Sequence, residues 1–85
     1  MRMRAYIQEH GIAIPPRELK VLQAAFDRAW DHLANSQVRR ADDAVRLRNS
    51  LAREIIDFRE RGERDPKRLA TLAILSITAG YRDQQ

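Results

Sequence analysis

Apolar positions recur along most of this chain with the period of a helix, and the recurrence is cleanest between Arg17 and Ala34. Leu19, Leu22, Ala25, Phe26, Ala29, Trp30 and Leu33 fall within one arc of about 140° when successive residues turn by about 100°. Lys20, Asp27 and Asp31 lie opposite. Pro16 suits the first position of a helix, and Pro15 pushes Ile14 toward an extended conformation. The pattern predicts an amphipathic helix over 16–34, ended by Asn35-Ser36, with Phe26 and Trp30 supplying most of its apolar area.

A second long helix starts at Ser36 or at Asp42, both acceptable N-caps, and runs to Arg61, where Gly62 supplies the residue after the C-cap. We assign it to 37–61. Ala44, Leu47, Leu51, Ile55 and Phe58 form one row, and Ala41, Val45, Ala52 and Ile56 form another about 100° away, so this helix is expected to touch two neighbours. Arg39–Asp43, Asp42–Arg46 and Arg53–Asp57 stand at helix-stabilising spacing on its outer side. The connection that follows is short and predicts an antiparallel hairpin with a third helix.

That third helix, 66–79, is apolar almost all round. Asp65 is its expected N-cap, Pro66 its first residue and Gly80 its stop. Leu69, Leu72, Leu75 and Ala79 make one stripe, while Ala70, Ile74 and Ile77 lie nearly opposite, and only Thr71 and Thr78 mark a polar edge. Such a helix has to be covered on most sides. Residues 1–15 form an arm with two readings: Met1, Met3 and Ala5 alternate as in a short strand, or Ala5 to His10 make a helical turn stopped by Gly11, with Ile12 folding back. The second is preferred. The tail YRDQQ is polar and expected to fray. The whole is read as one all-α domain over 1–85, a three-helix bundle with a long helical hairpin and an irregular N-terminal arm.

Eighty-five residues without a cysteine exclude disulfide stapling and thiolate metal sites, and suggest a reducing, cytoplasmic setting. The N-terminus lacks the apolar core of a secretory signal, and the apolar run 69–79 falls short of the roughly 20 residues that span a bilayer. A net charge of +4, carried largely by arginine, permits a nucleic-acid or acidic partner, but acids are interleaved throughout and no stretch is a block of one sign.

The segments ELKVLQAAFDRAW and LAREIIDFRERGERDPKRLATLAI resemble small bacterial all-helical proteins, over about residues 17–75. The resemblance rests on core spacing and a capped turn, implies the helical fold and carries no activity.

Candidate chemistry is sparse. His10 and His32 are far apart, Asp27 and Asp31 share a solvated face, and Asp42-Asp43 fit a helix start, so no metal site is expected. Ser36, Ser50 and Ser76 have no histidine or strained elbow beside them, and Gly11, Gly62 and Gly80 stand at helix ends rather than in a phosphate-cradling loop. We therefore expect a protein that is not an enzyme and has no cofactor, small-molecule substrate or membrane partner. Two binding readings remain. In the first, apolar surface left over on the second and third helices mediates self-association or a protein contact, with Leu69, Ala70, Ile74, Ile77, Val45 and Ile56 as the interface of a homodimeric regulator or adaptor. In the bland version of this reading, Tyr6, Ile7, Ile12 and Ile14 cover that surface within one chain. In the second, Arg46, Arg53, Arg61, Arg64, Lys67 and Arg68 contact nucleic-acid phosphates.

Overall fold

The computed structural model describes residues 7–83, and the side chains of 7–79. It is an all-α bundle of three long helices, α1 (Pro16–Gln37), α2 (Ala41–Glu60) and α3 (Pro66–Asp83), each touching the other two. At 1.5 Å per residue the longest helix spans about 33 Å, close to the 36 Å long axis of the molecule, so the helices lie side by side along it. Connections of a few residues leave antiparallel neighbours as the available arrangement. The starts of α1 and α3 and the end of α2 therefore share one pole.

The arm before α1 takes the second of its two readings where it is described. Residues 7–9 are helical, and Gly11 at φ +64° closes the turn. The Ile12 N–H donates to the Ile7 carbonyl at 3.1 Å and the Gly11 N–H to the Gln8 carbonyl at 3.3 Å, which is the Schellman pattern. That closure sends Ile12 and Ile14 back against the core beside buried Ile7. Residues 1–6, where the alternating Met1–Ala5 strand reading and Tyr6 fall, lie outside the described residues, as do Gln84 and Gln85.

The helix ends correct several sequence-derived boundaries. Asn35-Ser36 does not stop α1, because the Ser36 hydroxyl donates to the Leu33 carbonyl at 3.2 Å within the last turn. The helix ends at Gln37, and Val38 then packs on the core. Neither Ser36 nor Asp42 caps α2. Asp43, in the first turn, reaches back instead, and its Oδ2 accepts the N–H groups of Arg39 and Arg40 at 3.1 and 3.2 Å. The far end follows expectation: Gly62 takes φ +108°, its N–H donates to the Arg59 carbonyl, and the Glu63 N–H donates to that of Phe58. Asp65 caps α3, accepting the Lys67 N–H at 3.1 Å. Gly80 does not end α3, which continues to Asp83. A glycine permits the left-handed residue of a C-cap without compelling it.

The core is built around Leu22, Ala25, Phe26, Ala29 and Leu33 from α1, Leu47, Leu51, Ala52 and Ile55 from α2, and Leu69, Ala70, Ala73 and Ile77 from α3. Five buried alanines distributed over the three helices let the backbones approach closely. Trp30 is only partly buried and stacks on Phe26, with centroids 5.8 Å apart and planes at 12°. Among the described residues no polar or charged residue is buried, and no buried side-chain polar atom lacks a partner.

The orientation of α3 turns the side expected as an interface, with Ala70, Ile74 and Ile77, toward the other two helices. Ala70 and Ile77 point inward with Leu69 and Ala73, and Ile74 packs against that core. Leu75 is 61% exposed, and Leu72 does not join the buried cluster. The small side chains decide it, because the arc containing Ala70 and Ala73 can approach two neighbouring helices more closely than the bulkier leucine stripe.

Candidate functional site

Charge collects at the pole where α1 begins and the α2–α3 turn passes over it. Glu18 lies in the first turn of α1, where a carboxylate also favours the helix N-terminus. Arg59 lies in the last turn of α2, and its guanidinium reaches α1. The two meet as a bidentate pair: Nε donates to Glu18 Oε1 at 3.1 Å and Nη2 to Oε2 at 2.9 Å. The Arg59 side chain is 15% exposed and that of Glu18 27%. Arg59 Nη1 donates to Glu60 Oε1 at 2.7 Å.

Hydrogen bonding from Arg59 holds the Glu18 carboxyl below its ordinary range; its partial burial opposes this, and the charges of Arg59 and Arg64 reinforce it. The same bond raises the Arg59 guanidinium. Because the Glu18 pKa is depressed in the folded state, the stability it contributes is fully present above its unfolded pKa and disappears as pH falls through the folded value. Wild type should accordingly lose more stability than Glu18→Gln on acidification from about pH 6 to about pH 3. Urea midpoints across that range check this, and parallel curves for the two proteins would show that the pair is not formed.

The turn is organised by a second set of bonds. Glu63 Oε1 accepts the N–H groups of Arg64 and Asp65 at 3.1 and 3.2 Å, and Oε2 accepts Arg68 Nε at 2.9 Å. Those contacts, the Arg68 bond foremost, lower the Glu63 pKa. Arg64 Nη1 donates to the carbonyls of Arg59 and Glu63 at 2.7 and 3.2 Å, and its Nε lies 3.6 Å from Glu18 Oε1. Between these groups opens a cleft of about 160 Å³, lined by Arg17, Glu18, Val21, Leu22, Arg59, Glu63, Arg64 and Leu69.

The expected dimer interface is not assembled on one surface. Leu69, Ala70 and Ile77 are interior residues of a single chain, so they are corrected from interface to core. Ile74 and Ile56 are partly buried and pack on the same core. Only Val45, 43% exposed, faces solvent as anticipated. The surplus apolar surface lies elsewhere, on the Leu72, Leu75 and Ala79 stripe of α3.

The basic residues divide into two groups. Arg61 pairs with Asp57 at 3.0 Å and lies over the Phe58 ring at 5.4 Å, Arg68 is held by Glu63, and Arg64 is tied to the turn. Arg46, Arg53 and Lys67 are exposed and form no ion pair among the described residues, but Arg46 and Arg53 stand on α2 and Lys67 at the pole on α3. Sequence reasoning missed Glu18 as a partner of Arg59, since 41 positions separate them and only the antiparallel pairing of α1 with α2 brings them together. Among the described residues no group of three or more histidine, aspartate or glutamate side chains is arranged to hold a metal ion, and no helix is long and apolar enough to cross a membrane. No protein-family model, curated protein or solved structure matches the chain.

Proposed function

We propose that this chain is a non-enzymatic helical interaction protein, a small cytoplasmic regulator or adaptor that works as a homodimer through the outer face of α3. The observation that carries this reading is Leu75, a large apolar side chain 61% exposed in the middle of a regular helix. Leu72 and exposed Ala79 continue its stripe, and Ser76 stands beside it. Small residues next to leucines let two such helices approach across a two-fold axis, where each copy offers the same surface. Removing an exposed leucine side chain from water is worth about 1.5–3 kcal/mol, and each subunit contributes its own. Nucleic-acid binding ranks second, because Arg61 and Arg68 are already paired with carboxylates and the cations without an ion pair are dispersed.

Light scattering tests the assembly. Wild type at tens of micromolar should give twice the 9.9 kDa chain mass. Leu75→Glu should give the mass of one chain with an unchanged helical circular-dichroism spectrum. A wild-type mass of one chain at that concentration removes the dimer.

A further inference from the structure

We propose that the cleft at the α1–turn pole binds a small organic acid, with the carboxylate held by Arg17 and Arg64 and a short apolar tail on Val21, Leu22 and Leu69. The lining has a polar rim and an apolar floor, and the floor is solid because Leu22 and Leu69 are core residues. Of the three guanidiniums that line it, Arg59 is occupied by Glu18 and Glu60. Of the two carboxylates, Glu18 is held by Arg59, and Glu63 by Arg68 and two backbone N–H groups. Arg17 forms no ion pair among the described residues, and Arg64 is held by the two carbonyls on its Nη1 and lies 3.6 Å through Nε from a Glu18 already bonded twice, which leaves its Nη2 for a ligand. The lining thus carries three guanidiniums against two carboxylates, and the groups it offers a ligand are the Arg17 guanidinium and the Nη2 of Arg64.

The volume sets the tail. A cleft of about 160 Å³ is close to the cavity of about 150 Å³ that holds benzene. That is room for a tail of about five or six carbons. A bare phosphate fits poorly, since it leaves the apolar floor wet and sets two negative charges near Glu18 and Glu63. A single carboxylate matches the planar fork of an arginine with one charge.

The test is titration of the full chain with hexanoate, followed by amide chemical shifts. Saturable shifts at Val21, Arg64 and Leu69 with a Kd of about a millimolar or tighter are expected for a ligand of this size. Acetate, hexanol and inorganic phosphate should each bind at least about tenfold more weakly. Arg17→Gln, which removes a side chain with no ion-pair partner among the described residues, should weaken hexanoate at least about fivefold without moving the melting temperature. N-Acetylleucine, run in parallel, distinguishes a peptide C-terminus from a free acid, and the tighter of the two names the source. Shifts that do not saturate, equal affinity for acetate or phosphate, or undiminished affinity in Arg17→Gln would each overturn the assignment.

Discussion

Replacing Phe26 by alanine lowers the stability of the folded chain by about 3–5 kcal/mol. Phe26 is the largest of the fully buried side chains and sits on α1 within a core that α2 and α3 also build. Its removal leaves a void in the core cluster that also holds Leu51 and Ile55, and strips Trp30 of its stacking partner at 5.8 Å. Interiors packed as densely as organic crystals relax only partly into such a void, so the lost transfer energy and the cavity both count. Against a total of about 5–15 kcal/mol for native domains, with a chain this short toward the lower end, the loss approaches half or more of the total. Urea denaturation measures it: the midpoint should fall steeply while the slope stays near the wild-type value. A Phe26→Ala protein melting within about a degree or two of wild type contradicts the packing of α1 described above.

The three helices were legible where a single apolar arc opposes a polar one, as in α1, and where a glycine or proline has one consistent role, as at Pro16, Gly62 and Pro66. The ends were less legible because competing hydrogen bonds settle them. Ser36 can cap a new helix or bond back to Leu33, and it does the latter. Asp43 caps α2 from inside its first turn, where the sequence pattern reads as a surface pair with Arg39. Facing was least legible in α3. Both of its arcs are apolar, so hydropathy cannot choose between them, and the choice falls to the size of Ala70 and Ala73. The candidate dimer surface inherited that ambiguity, and three of its six residues, Leu69, Ala70 and Ile77, are interior. The Glu18–Arg59 pair was illegible for a different reason. Neither residue is unusual alone, and the pair exists only once α1 and α2 lie antiparallel with the start of one beside the end of the other.

The facing of α3 has a direct consequence for two leucines on the same helix. Leu69 has no exposed surface and belongs to the core, while Leu75 is 61% exposed. Leu69→Ala should therefore cost about 2–5 kcal/mol, since the methyl groups removed leave a space that α1 and α2 cannot fill without shifting. Leu75→Ala should change the stability of the single chain by no more than about 0.5 kcal/mol, the range of surface substitutions remote from caps and networks. The comparison is made by urea denaturation at a protein concentration low enough to keep the chains apart, because a dimer would otherwise add its association energy to the Leu75 result. Both variants keep the helix-favouring residue alanine, so helix propensity cancels between them and burial is what remains. Repeating the pair at tens of micromolar tests the proposed dimer as well. If Leu75 seals a dimer, its variant loses the concentration dependence of the wild-type midpoint, whereas Leu69→Ala keeps that dependence on a lower baseline. Equal losses for both leucines at low concentration, or a larger loss for Leu75, would mean that the stripe containing Leu72 and Leu75 faces the core after all.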